Sequence, residues 1–238
     1  MALAAARRHG GGLGIRVQVP SEWHDRDIDG LRELLDRAAS IDPVDLFLDL
    51  GAVLPSRRDA AKEALSALDA LVPLAPWRTV AVASGGFPEP PDGCLESGWY
   101  EAPRPDWDTW HEIHHSGRSY LPLLQYGDYG ILPAGYAAQT PASGNGGPSW
   151  GLLRYTTTRS YFLAKVLQRG EHRDAINRDA ARRLTRLADF RPSAVTGEGW
   201  LRERAQGSVS TGNHSVWNRV GNVQHMTFVV RCLDGRLR

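Results

Sequence analysis

The chain has 238 residues, 42% of them hydrophobic, and a formal net charge of +1. It is long enough to bury one substantial core, and no apolar run reaches the roughly 18 to 20 residues that a membrane span needs. Its two cysteines, Cys94 and Cys232, are too few and too far apart for a disulfide framework or a paired-cysteine metal site, which fits a reducing, cytoplasmic setting.

Met1 to His9 reads as the last turns of a helix, with Arg7 and Arg8 at its C-terminal dipole and Gly10 to Gly12 ending it. Its basic residues follow the apolar stretch, the reverse of a signal peptide. Gly12 to Val19 alternates as a strand, and Ile28, Leu31, Leu34, Leu35 and Ala38 then recur at helical spacing behind Asp27 and Asp29. Val44 to Leu50 is an apolar strand, residues 56 to 72 predict a second helix, and Arg78 to Ser84 a third strand. Strands alternating with helices at this spacing predict a parallel sheet with right-handed crossovers.

Residues 85 to 105, rich in proline and glycine, predict a long loop, and a short helix at 106 to 116 follows. The apolar run Tyr120-Leu121-Pro122-Leu123-Leu124 then leads as a strand to Asp128. Beyond it, 150 to 157 and 161 to 168 predict strands, 173 to 189 a helix with Arg178, Arg182, Arg183 and Arg186 on its solvent face, and 222 to 233 a final β-branched strand. The expected fold is a single α/β domain over 1–238, mainly parallel and TIM-barrel-like, regular over 1–118 and irregular over 119–238. With six or seven strands and a start on a helix end, the barrel is expected to be incomplete at its N-terminal side or completed by another chain.

The near-zero net charge conceals an asymmetry. Residues 1 to 153 carry 12 Lys/Arg against 20 Asp/Glu, whereas 154 to 238 carry 16 against 7. Two oppositely charged parts can simply attract each other, but a basic, arginine-rich C-terminal part also suits an anionic ligand such as nucleic acid or a nucleotide. Gln125-Tyr126-Gly127-Asp128-Tyr129-Gly130 stands out for chemistry, since a short acid between glycines at a strand end is where α/β proteins place site groups. With Asp49, Arg154 and His225 it makes a candidate set in which a carboxylate acts as base or cation ligand, Arg154 holds an anion and His225 moves a proton.

His111-Glu112-Ile113-His114-His115 matches the zinc-protease pattern literally, which would make His111 and His115 metal ligands. The helix is short, however, and Arg118 stands where the extended pattern needs glycine. Trp99, Trp107 and Trp110 beside the loop read as packing groups or stacking platforms.

Leu46-Phe47-Leu48-Asp49, Gly86-Phe87-Pro88, Gly127-Asp128-Tyr129, Arg154-Tyr155-Thr156, and Trp217 with Asn222-Val223-Gln224-His225 occur in an order that resembles the bacteriophage "beta protein" family, over about residues 10 to 233. The resemblance implies a barrel-type α/β fold, a phage-related or antiviral setting, members longer at the N-terminus, and no established activity. It adds Tyr129, Tyr155 and Trp217 to Arg154 as candidate ligand-binding residues. Gln224 stands where a second histidine is expected beside His225. The functional expectation is a binding module in phage–host conflict for an anionic ligand, with a protein partner or self-association completing the barrel and no membrane contact. The alternative is a hydrolase or phosphodiesterase working through Asp128 and Asp49, with zinc at His111 and His115 or another divalent cation as the cofactor variant.

Overall fold

A computed structural model describes residues 12–19, 27–38, 43–90, 93, 96–134, 150–191, 196–207 and 210–235. Met1 to His9 and Cys94 therefore lie outside the described residues. The chain divides into two compact units, one of Met1–Gly86, Pro105–Tyr129 and Pro133–Tyr136, the other of Phe87–Arg104, Gly130–Leu132 and Ala137–Arg238.

In the first unit β1 (Leu13–Gln18), β2 (Val44–Ala52), β3 (Thr79–Gly85) and β5 (Leu124–Asp128) form a four-stranded sheet in which every neighbouring pair is parallel. Helices α1 (Asp27–Ala38), α2 (Ala60–Leu71) and α3 (Pro105–His114) fall between successive strands, as the alternation predicts. The strands follow one another across the sheet in chain order, but the described residues form no closed barrel.

One face of this sheet packs into a core. Ile15, Leu46, Leu48, Leu50, Val80 and Val82 are buried there, and α2, in contact with β2, buries Ala60, Ala64, Ala67, Leu68 and Leu71. The other face, carrying Arg16, Phe47, Ala81, Ala83 and Gln125, is half-buried or exposed, with Phe47 at 44%. That is unusual, because parallel sheets are ordinarily covered on both sides. The run Tyr120–Leu124 is only partly strand, since Pro122 cannot donate to a ladder: Leu121–Leu123 forms a 3₁₀ turn and pairing starts at Leu124.

The second unit corrects the expectation of a mainly parallel fold. β4 (Trp99–Pro103), β6 (Trp150–Thr156) and β7 (Ser160–Leu167) make an antiparallel sheet in the order β4-β7-β6. β4 lies inside the segment read as loop, directly after the turn at residues 96–98. α4 (Arg173–Leu184) and α5 (Thr196–Gln206) follow, the latter not foreseen, and the expected terminal strand is instead part of helix α6 (His214–Leu233).

Helical spacing overrides β-branched content in α6 because Trp217, Gly221, Gln224 and Phe228 fall on one face and are all buried. Asn213 caps its start, accepting from the Val216 amide at 3.1 Å. The core joins Leu153, Tyr155, Phe162 and Val166 to Ala180, Leu184, Leu201, Trp217 and Val220, while Phe87, Ile131, Leu152, Tyr161 and Leu163 pack as a second cluster.

Arg182 and Arg183 of α4 are exposed, as expected, but they and other arginines of α4 and α5 also make contacts within the unit. Arg182 donates to the Ala205 carbonyl at 3.0 Å and Arg173 to the Gly212 carbonyl at 2.6 Å, so α4 closes the C-terminal end of α5. Arg183 lies over Trp99 and Arg204 over Trp200. Part of the positive excess is thus engaged in contacts inside the second unit. Among the described residues no helix is long and apolar enough to cross a membrane.

Candidate functional site

Strand alternation puts Arg16, Asp49 and Tyr129 on the open face of the parallel sheet. Gln18 pairs with Asp49, so Arg16, two residues earlier, lies diagonally beside it. Tyr129 follows directly on β5, two residues after Gly127. Gly127 leaves little room on that face, where a Cβ would meet Ala83 at 3.3 Å.

Asp49 is only 4% exposed although it stands on the open face, because Arg16 and Tyr129 fold over it. One carboxylate oxygen accepts from Nε and from a terminal nitrogen of Arg16; the other accepts from the Tyr129 hydroxyl at 2.5 Å and the Gly51 amide at 2.8 Å. Burial acts to raise the Asp49 pKa, but Tyr129, Gly51 and Arg16 together outweigh it and hold the carboxyl below its ordinary value. Burial first, then the hydrogen bond to Asp49, push the Tyr129 phenol upward. Asp49 is therefore an anion with both oxygens engaged, suited to fixing a neighbour and poorly suited to taking a proton.

What it fixes is Arg16, whose side chain remains 60% exposed. A guanidinium held on one edge by a buried carboxylate presents its remaining N–H groups in a set direction, which is how arginine is prepared for phosphate or carboxylate. Neither Arg16 nor Arg57 was anticipated as a site group. Arg57 donates to the carbonyls of Val19, Leu50 and Ala52 and pairs with Glu63, tying together the ends of β1 and β2. The signal for Arg16 was present in the alternation, since it has the same parity as Asp49 once β1 and β2 pair. Arg57 carries no such signal, because apart from Glu63 its partners are main-chain atoms at two separate strand ends. Past Asp49 the chain leads into a cleft of about 410 Å³ lined by Ala52, Leu54, Ser56, Arg57, Arg58, Asp59 and Glu63.

Asp128 ends β5 half-buried, in register with Ser84 and therefore on the opposite side of the pleat from Asp49 and Tyr129. The structure thus brings Asp49 together with Tyr129 but does not set Asp128 on their face. On α3, Trp107, Trp110 and Ile113 are buried as expected, while His111 and His115 are exposed. Their rings stack with centroids 5.8 Å apart, His115 lies just past the helix end, and its Nδ1 is 2.7 Å from the His111 carbonyl. Among the described residues no group of three or more histidine, cysteine or acidic side chains could hold a metal.

The remaining candidates belong to the second unit. Arg154 is half-buried, with a terminal nitrogen 3.2 Å from the Asn218 amide oxygen. Tyr155 and Trp217 are core residues: Tyr155 donates to Glu198 at 2.7 Å and Trp217 to the Thr211 carbonyl at 2.9 Å. A ligand would reach either only by displacing those partners. His225 is also buried, its Nδ1 2.8 Å from the Thr156 hydroxyl and its ring edge-on to Phe87. Gln224 beside it donates to the Thr156 carbonyl at 2.8 Å and accepts from the Thr156 amide at 2.9 Å. The Gln-His pair therefore grips one residue of an edge strand.

Glu198 supplies a titration test. Burial raises its pKa against the opposing effects of Tyr155, the Arg191 amide and nearby arginines. A carboxyl whose folded pKa lies above its unfolded value stabilises the fold at low pH, and that contribution is lost as pH rises through the folded pKa. Glu198→Gln, which keeps the acceptor for Tyr155, is expected to flatten the fall in stability above about pH 4.3, the ordinary Glu value. Denaturant unfolding across pH checks this; an unchanged pH profile would show that Glu198 does not titrate in that window.

The chain matches the model of the Beta protein family over residues 1–231 and belongs to that family. No curated protein and no solved structure matches it.

Proposed function

We propose that this protein is a binding module for an anionic, phosphate-bearing ligand, a nucleotide or nucleic acid, taken up on the open face of the parallel sheet by Arg16. One observation carries the reading: Arg16 is exposed, yet clamped on one edge by a buried carboxylate that Tyr129 and Gly51 hold in place from its other side. Tyr129 follows directly on the carboxyl end of β5, the side on which open α/β sheets bind ligands. Tyr129 adds a hydroxyl and a ring at the same rim. We read the parallel unit as part of a barrel wall whose inner face carries the site. In keeping with the family resemblance, the setting we propose is phage–host conflict in the cytoplasm.

The hydrolase alternative is weaker because Asp49, one of its two acids, already has both oxygens filled, and because Asp128 faces away from it. Binding of a labelled single-stranded oligonucleotide and of a free nucleotide, measured at rising salt, tests the proposal. Affinity is expected to fall steeply with salt, as phosphate contacts require. Arg16→Ala is expected to weaken binding about tenfold, the worth of one charge-assisted contact. Absence of binding even at low salt would move the reading to a protein partner.

A further inference from the structure

Helix α6 is apolar on two opposite sides. Its buried side carries Trp217, Val220, Gly221, Gln224, Phe228 and Val229. On the other side Arg219, Val223, Met226, Val230 and Leu233 recur at alternating spacings of four and three residues, which at 100° per residue confines them to an arc of about 80°. Met226 is 62% exposed, Val230 56% and Leu233 45%. A helix apolar on both sides is ordinarily covered on both.

We propose that this stripe is the contact between two copies of the chain, with their α6 helices antiparallel across a two-fold axis at Met226. The pattern is self-complementary about that residue. Arg219 and Leu233 each lie seven residues from Met226, and Val223 and Val230 flank it. Antiparallel pairing sets Met226 on its own copy, Val223 beside the partner's Val230, and Arg219 beside the partner's Leu233 and Asp234. Opposite charges then meet at both ends of the seam, whereas a parallel pairing would oppose Arg219 to Arg219. An isologous contact of this kind closes on itself and makes a dimer rather than a chain. The seam is about 21 Å long at 1.5 Å per residue, so the contact is small and the dimer weak. It differs from association through the open edges of the parallel sheet, which belongs to the other unit.

Sedimentation equilibrium from about 1 to about 200 µM, a range suited to small interfaces, tests this. The wild-type mass is expected to move from one chain toward two. Met226→Glu places two carboxylates on the axis and Met226→Lys two ammonium groups, and each is expected to remain monomeric throughout. An equimolar mixture of the two variants is expected to recover the dimer, because opposite charges then face each other. Circular dichroism of each variant should match wild type, since Met226 is exposed; if either charged variant misfolds, Met226→Gln replaces it and is expected to weaken the dimer at least fivefold. A wild type that stays monomeric, a Met226→Glu protein that dimerises like wild type, or a mixture no better than its components would each overturn the proposal.

Discussion

Replacing Gln224 with leucine is expected to lower the free energy of unfolding by about 3 kcal/mol, with little change in side-chain volume. β6 is an edge of the antiparallel sheet, and an edge leaves main-chain donors and acceptors in need of partners. Gln224 supplies both at Thr156, a fully buried residue, and so takes the place of a neighbouring strand there. Leucine would leave a buried N–H and a buried C=O without their partner, at about 1 to 3 kcal/mol each. Gln224→Glu sharpens the test, because a carboxylate can still accept from the Thr156 amide but opposes its carbonyl. Protonation restores the donor, so this variant should approach wild-type stability at low pH and lose it as pH rises. Equal instability of Gln224→Glu at all pH values, or a leucine variant as stable as wild type, would show that the pair is dispensable.

Gly86→Ala is expected to cost a further large amount, about 3 kcal/mol, for a steric reason. An added Cβ would fall within the carboxyl group of Asp106, which is buried in the first turn of α3 and has little room to move. Close approach, rather than an unusual backbone angle, is what requires glycine here. Removing the obstacle should uncouple the two sites: in an Asp106→Ala background, Gly86→Ala should cost little more than an ordinary surface change. Chemical denaturation of the four proteins reads this directly, and additive losses would contradict the account.

These two positions also show what the sequence made legible. Gly86-Phe87-Pro88 and Gln224-His225 stand out in the chain, and both make packing or hydrogen-bond contacts that hold elements together. Phe87 stacks on Tyr161 with centroids 3.9 Å apart, and Gln224 with His225 fastens α6 to β6. The β/α units of the first half were readable because α1, α2 and their strands have clean periods. The C-terminal helix was misread because Val223, Val229 and Val230 suggest a strand, while the burial of Trp217, Gly221, Gln224 and Phe228 follows a helical period that includes a glycine and a polar residue. β4 hid among turn residues, since five residues offer little periodicity. Asp49 and Tyr129 were anticipated as separate candidates, but Arg16 was not, because its pairing depends on the register between β1 and β2.

Oligonucleotide affinity measured at one low salt concentration for wild type, Arg16→Ala, Asp49→Asn and the double variant tests the central claim most directly. Asparagine keeps an acceptor for Gly51 and Tyr129 while releasing the charge that holds Arg16. Simple electrostatics says that removing a negative charge beside an anion site should strengthen binding. If Asp49 instead serves to orient Arg16, Asp49→Asn should weaken binding severalfold, Arg16→Ala about tenfold, and the double variant no more than Arg16→Ala alone. Stronger binding by Asp49→Asn, or full affinity in Arg16→Ala, would contradict the account.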